Sequence, residues 1–280
     1  MQEEITFIGG DLRSVELIKL FAKDGYKIYT YGFENYDFKS DKIIKISELD
    51  SPTNTIISAI PFSKDSINLN AKFSANIITV EELFRKLKNK KIIAGPFKNE
   101  IYNIAKKYNI ELVDIMKNEE LTILNVIPTA EGAIQIAMEE SMETINGSNV
   151  LVLGFGRIGK VLSKMLWGLG ANVYSEARKR EDLAYIEAYG YNKIDLQDLN
   201  KFLPKFKYIF NTIPYLVLDK ERLDLINNDT IIIDLASSPG GVDFEYAKTK
   251  GIKAILALGL PGKVAPRTAA KYIYKVIGGM

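Results

Sequence analysis

The segment Val150-Leu151-Val152-Leu153-Gly154-Phe155-Gly156-Arg157-Ile158-Gly159 constrains this chain more than any other. Four apolar residues run without a polar break into three glycines spaced G-x-G-x-x-G. Ile158, Val161, Leu162, Met165, Leu166 and Leu169 then recur at helical intervals. That order predicts a buried parallel strand, a tight turn and an amphipathic helix. In such a turn the first glycine permits the bend, the second lets backbone approach a pyrophosphate, and the third lets the helix lie close to the strand. The helix N-terminus then presents free N–H groups to the phosphates. Gly168 and Gly170 end the helix, and Ala171–Ser175 supplies the next strand. The expectation is a dinucleotide-binding unit with Gly154, Gly156, Arg157, Ile158 and Gly159 at the phosphates; a glycine-rich turn in a nucleotide-free α/β fold is the alternative.

Apolar runs alternate with helical patterns along the rest of the chain, as in βα units feeding parallel sheets. Strands are expected at Ile5–Ile8, Lys27–Tyr31, Thr55–Ile60, Ile77–Thr79, Lys91–Ala94 and Glu111–Asp114, with helices between several of them. A helix from Ala130 to about Met142, N-capped by Thr129 after Pro128, reads as a connector. At 280 residues the chain has room for two domains. The predicted fold class is α/β, with two Rossmann-like doubly wound domains and a cleft between them. Their expected limits are 1–127 for a substrate-side domain, 128–145 for the connector and 146–267 for the cofactor domain, with a last helix within 268–280 packing back on the first.

Composition narrows the chemistry. The chain has no His and no Cys. This excludes a Ser-His-Asp triad, a Cys nucleophile, a disulfide framework and any thiolate or imidazole metal site, so no metal is expected. Acid and base chemistry is left to Asp, Glu, Lys, Tyr or water. A net charge of +2 lacks the basic excess of a nonspecific nucleic-acid binder. No apolar run approaches the roughly 20 residues of a bilayer span, and Glu3-Glu4 followed directly by Ile5-Thr6-Phe7-Ile8 is not signal-peptide order. The reading is a cytoplasmic protein with no membrane partner.

The cofactor can be argued from the end of the strand after the glycine helix, where an NAD site places an acid on the ribose. Counting puts Ala177 there, followed by Arg178-Lys179-Arg180. A small residue followed by guanidinium groups suits the 2′-phosphate of NADP. Glu176 would be the acid of an NAD site if the register slipped by one, and Lys179 alone also reads as a solvated loop residue. The ends of the next two strands, Thr212-Ile213-Pro214 and Ala236-Ser237-Ser238, should border the same crevice. Asn211 and Asp234, just before them, serve the site or satisfy strand-end backbone. Substrate-side candidates are the polar tips Gly9–Arg13, Pro128–Gly132, Pro239-Gly240-Gly241 and Gly259–Thr268. Arg13 and Arg267 begin helices, where a cation is unfavourable to the dipole, and this points to an anion. The lone Trp167 is expected to pack between elements.

Taken in order, Ile8-Gly9-Gly10-Asp11-x-Arg13, Ile127-Pro128-Thr129-Ala130-Glu131-Gly132, Gly154-x-Gly-Arg-x-Gly, Asn211-Thr212-Ile213-Pro214, Asp234-Leu235-Ala236-Ser237-x-Pro239-Gly240-Gly241 and Gly259-Leu260-Pro261-Gly262-x-Val264-Ala265-Pro266-x-Thr268 resemble the family of dipicolinate synthase A subunits over essentially the whole chain. The resemblance implies NADP-linked oxidation of dihydrodipicolinate to dipicolinate in the mother cell of a sporulating bacterium, beside a flavoprotein-like B subunit; a homo-oligomer stays open. Against the family pattern, Glu176 and the longer basic run depart from a Gly-Ala-Arg turn, though Arg178 still matches the Arg. With a dicarboxylate as substrate, Arg13, Arg267 and Lys263 become the cationic clamp, with Thr129 and Ser238 as donors and Gly240 beside them. Asp11, Glu131 and Lys263 are the catalytic candidates, Asp11 and Glu131 as proton acceptors or water-orienting groups, or else as helix caps. Rival readings are another NADP oxidoreductase of the hydroxyacid or methylenetetrahydrofolate dehydrogenase type, or a non-catalytic nucleotide-binding subunit. The hydroxyacid enzymes depend on a catalytic His that this chain lacks.

Overall fold

Val150, Leu151, Val152 and Leu153 are all fully buried, as a parallel strand covered on both faces requires. The computed structural model describes residues 3–49 and 52–279. The chain divides into two units, Met1–Asn125 with Ala265–Met280, and Val126–Val264.

The first unit is built in the order β1 (Glu4–Ile8), α1 (Leu12–Lys23), β2 (Lys27–Tyr31), β3 (Ile43–Lys45), β4 (Thr55–Ser58), α2 (Val80–Lys86), β5 (Lys91–Ala94), α3 (Asn99–Lys107) and β6 (Glu111–Asp114). Its sheet runs β3-β2-β1-β4-β5-β6 and every pairing is parallel. Helix α4 (Glu119–Glu139) leads into the second unit. There follow β7 (Asn149–Leu153), α5 (Arg157–Gly168), β8 (Asn172–Ala177), α6 (Arg180–Ala188), β9 (Asn192–Asp195), α7 (Leu199–Phe202), β10 (Tyr208–Asn211), α8 (Lys220–Leu223), β11 (Ile231–Asp234), α9 (Phe244–Thr249), β12 (Lys253–Leu256) and α10 (Leu260–Val264). This sheet, β12-β11-β10-β7-β8-β9, is also wholly parallel. Each sheet is a doubly wound α/β layer whose strand order reverses beside its first strand, at β1/β4 and at β7/β10. Helix α11 (Pro266–Gly278) returns to the first unit and packs on α1.

Each sheet buries two faces. Phe7 and Ile57 join α1 and α11 on one side of the first sheet, and Ile8, Ile56 and Ile92 join α2 and α3 on the other. In the second, Val150, Val152 and Phe210 meet α5 and α4, while Leu151, Leu153 and Ile209 meet the opposite helices. Within the α5 stripe Leu162 and Leu166 are buried, Ile158, Val161 and Met165 are half-buried, and Leu169 lies at the rim. Burying an aliphatic side chain of this size contributes about 2 kcal/mol.

Several expectations are corrected. The connector helix begins eleven residues before Ala130, at Glu119, and runs straight through Pro128, so Thr129 is not its N-cap. Asn118 starts it instead, its Oδ1 accepting the Leu121 N–H at 2.9 Å. Interior proline costs a helix about 3 kcal/mol. Burial on both sides of Pro128 offsets this: Leu121 sits in one core, and Ala130, Ala133 and Ala137 sit in another. By length and composition α4 is also long and apolar enough to cross a membrane, which no single run in the sequence suggested. Ile77–Thr79 is not a sheet strand; Thr79 makes one isolated bridge to Asn68, and Ile77 is 79% exposed. The short edge strand β3 was missed because only Ile43 of its three residues is buried. The segment expected as a loop after Gly259 folds into α10. Trp167 is 58% exposed rather than packed between elements, since it points off the far side of the α5 stripe.

Candidate functional site

The glycine turn after β7 has three distinct environments. Gly154 adopts φ +88°, and a Cβ there would come within 2.6 Å of Thr212 Oγ1. Gly159 lies so close to the turn that a Cβ would stand 2.0 Å from the Gly154 carbonyl oxygen. Gly156, the N-cap of α5, makes no side-chain cap bond, and a Cβ added to it would meet nothing within 4 Å. One glycine bends, one permits close packing and one faces open space. That division of labour is what a pyrophosphate seated on a helix N-terminus needs. The first turn of α5 carries no acid to occupy its N–H groups. The residues present therefore fit a dinucleotide, with Arg157 at the helix start and Ile158 half-buried behind it.

At the end of β8 the counted register holds: Glu176 pairs with Leu153, and Ala177 pairs with Asp195. Glu176 turns inward. It is 1% exposed, and its Oε2 accepts the Gly154 N–H at 3.1 Å. Its Oε1 is buried and has no hydrogen-bond partner among the described residues. Burial pushes this carboxyl above its ordinary value, against the opposing pull of the Gly154 N–H and of Arg178 and Arg222. Ala177 is buried, and Arg178 and Lys179 stand exposed beyond it.

The ends of β10 and β11 are tied together from beneath. Asn211 and Asp234 are direct partners in the parallel register and both are fully buried. Asp234 Oδ1 accepts from Asn211 Nδ2 at 2.8 Å and from the Ala236 N–H at 3.0 Å, and its Oδ2 accepts the Gly241 N–H at 2.9 Å. Asn211 also holds Ile213 through both its amide atoms, 3.0 and 3.1 Å. Gly241 has no room for a side chain, since a Cβ would lie 2.1 Å from Asn211 Nδ2. One polar knot thus fixes both Thr212–Pro214 and the 236–241 loop, where Ser237 and Ser238 are exposed and Gly240 packs against Asp234. The sequence showed two polar residues ending apolar strands, but not that they meet.

In the first unit Asp11 caps α1, accepting the Arg13 N–H at 2.9 Å, and pairs with the Arg13 side chain, Nη2 to Oδ2 at 2.7 Å. Arg13 also donates to the Ile60 carbonyl and is 7% exposed. Both lobes of the Asp11 carboxylate are therefore engaged. Arg267, in the first turn of α11, pairs with Glu16 of α1 at 3.1 Å, and Tyr274 of α11 reaches Asp24 at the end of α1. These pairs advance along both helices in the same direction, so the two N-termini lie side by side with Arg13 and Arg267 upon them. Arg267 keeps 82% of its side chain exposed. Glu16, which sequence reasoning passed over, had one signal: it lies one helical turn beyond Arg13.

Thr129 and Glu131 lie on α4, Glu131 exposed; Lys263 lies exposed on α10. The two helices touch where Gly132 meets Leu260 and Val264, and a Cβ there would stand 3.1 to 3.2 Å from them. An apolar groove of about 500 Å³, lined by Ile134, Met138, Met165 and Leu169, lies between α4 and α5 instead of at the strand ends.

Known proteins share both halves of this arrangement. Residues 4–116 match the N-terminal domain of the dipicolinate synthase A subunit, and residues 128–239 match the NAD binding domain of D-isomer specific 2-hydroxyacid dehydrogenases. The dipicolinate synthase A subunit of Bacillus subtilis is 35% identical over 279 residues, covering 98% of this chain and 94% of the relative. The chain belongs to the family of dipicolinate synthase A subunits. The crystal structure of the dipicolinate synthase A subunit from Bacillus halodurans superposes with a TM-score of 0.89 at 33% identity, covering 99% of this chain and 97% of that one. The corresponding Bacillus subtilis structure gives 0.87 at 33% identity, covering 100% and 95%. A transhydrogenase from Sinorhizobium meliloti shares the fold, at TM-score 0.73 and 14% identity over 98% of this chain and 92% of that one. This member of the dipicolinate synthase A family is thus an oxidoreductase whose second unit is a nicotinamide-dinucleotide domain of the dehydrogenase type.

Proposed function

We propose that this chain oxidises dihydrodipicolinate to dipicolinate, pyridine-2,6-dicarboxylate, with NADP, as the A subunit of a dipicolinate synthase. The observation that carries the reading is the open, uncapped helix start at Gly156, with the phosphate-suited Arg178 beyond a small Ala177. The preference for NADP rests on Glu176, whose inward turn under Gly154 takes the nearest acid away from a ribose hydroxyl. Gly154, Gly156, Arg157, Ile158 and Gly159 then hold the pyrophosphate, Arg178 and Lys179 the 2′-phosphate, and Thr212, Ile213, Pro214, Ala236 and Ser237 the nicotinamide end.

Two substrate carboxylates call for cations and free N–H groups. The adjoining starts of α1 and α11 offer the cations, Arg13 and the exposed Arg267, and the start of α11, which no side chain caps, offers the N–H groups. In the second unit, Lys263 is the substrate-side cation and Thr129, Ser238 and Gly240 are the substrate-side donors. When bound, the nicotinamide supplies the hydride acceptor. The product ring is aromatic, so the substrate gives up a hydride and a proton downhill, and a chain without His meets that modest demand. Glu131, exposed on α4, is the proton acceptor in this reading. Asp11, already bonded to Arg13, holds that guanidinium in place. The enzyme acts in the mother-cell cytoplasm of a sporulating bacterium beside a flavoprotein-like B subunit.

Mixing the chain with NADP and freshly generated dihydrodipicolinate, with and without the B subunit, tests the assignment. NADPH absorbance and pyridine formation should rise together. No turnover even with the B subunit present overturns the enzyme reading. Arg267→Ala should raise the substrate KM about ten-fold while NADP binding is unchanged.

A further inference from the structure

Asp234 is a buried carboxylate with no cation on it. It is fully buried, and among the described residues it makes no salt bridge. Its three bonds, from Asn211 Nδ2, Ala236 N–H and Gly241 N–H, are all accepted. Acceptor-only bonding is the pattern of an ionised carboxylate. Holding such a charge in a protein interior without a counter-ion is costly, and a neutral amide could tie the same strand ends together. Its place in the fold supplies a reason to keep it. A dinucleotide that crosses the β7/β10 switch point with its adenine-side ribose at the end of β8 has its nicotinamide over the ends of β10 and β11. Asp234 is the last residue of β11, directly beneath the loop that begins at Leu235.

We infer that Asp234 places a fixed negative charge under the nicotinamide end of the site and so makes the chain favour the oxidised dinucleotide over the reduced one. The two redox forms differ there by a single positive charge, carried by the oxidised ring alone. A fixed charge beneath the ring acts on that difference directly, because phosphates and riboses are shared. The preference suits a dehydrogenase that begins each turnover with the oxidised cofactor and must release the reduced one. The inference rests on the orientation of the dinucleotide proposed above.

Binding constants for NADP+, NADPH, NAD+ and NADH, measured by calorimetry on the full chain, test it without any turnover. Asp234→Asn should weaken the oxidised forms on the order of ten-fold more than the reduced forms. Asn211→Ala breaks the same knot but keeps the charge, and should weaken both redox forms by one common factor. Equal losses for the two forms in Asp234→Asn overturn the inference and leave the dinucleotide site standing. If the wild-type chain binds none of the four nucleotides, the site and the inference fall together. Should Asp234→Asn fail to fold, the wild-type chain still decides: tighter binding of the reduced than of the oxidised form contradicts the proposed charge effect.

Discussion

The two units share one strand order, and in both the first strand turns into a helix of 12 residues. Their turns are opposites. In the first unit Asp11 fills the helix start with its own carboxylate, and Gly10 is so enclosed that a Cβ would stand 2.0 Å from Ser14 Oγ. In the second, Gly156 leaves the helix start uncapped and faces open space. One helix has its anion built in; the other is free to receive one. A doubly wound fold therefore does not make a dinucleotide site, and the residue at the N-cap decides whether phosphate can enter.

The comparison breaks most completely if the second turn is given the first one's cap. Gly156 has φ −77° and ψ −159°, which an aspartate adopts without strain. Gly156→Asp should cut dinucleotide affinity on the order of 100-fold, through the lost charge-assisted bonds, while the far-UV circular dichroism stays unchanged. Unaltered affinity would mean that phosphate sits elsewhere. The reverse change, Asp11→Ala, uncaps α1 and strands Arg13, and should cost about 2 kcal/mol in urea unfolding without creating a second nucleotide site. A stability unchanged from wild type would show the Asp11–Arg13 pair to be idle.

Arg178→Ala should weaken NADP about ten-fold more than NAD in parallel titrations, and equal effects refute the 2′-phosphate role. The smallest effect is expected beneath the turn. Burial raises the Glu176 carboxyl above its ordinary value. Its stabilising contribution is then fully present below the unfolded-state value and is lost as pH rises through the higher folded-state value. Glu176→Gln removes that loss and keeps an acceptor for Gly154. Relative to wild type, the variant should gain stability as pH rises through this window, and a difference independent of pH contradicts the direction.

Much of this was legible along the chain because the decisive features are local. The strand, turn and helix around Gly154 follow from contiguous residues, and so does the position of Ala177. What was not legible depends on neighbours distant in sequence. Asn211 and Asp234 are 23 residues apart and meet only because β10 and β11 pair in parallel register. Counting along β8 gave Glu176 its position, but its direction depends on the Gly154 N–H across the sheet. Pro128 looked like a helix start by local rules, and burial on either side of it overrode them. Arg13 and Arg267 join one clamp on chemical grounds alone; the pairing of Arg267 with Glu16, which sets the start of α11 beside that of α1, has no signal along the chain.

Calorimetric titration of the wild-type chain with NADP tests the central claim most directly. One nucleotide per chain, lost in Gly156→Asp and kept in Asp11→Ala, is the expected result. Two per chain, or one that survives Gly156→Asp, would contradict the assignment of the site to the second unit.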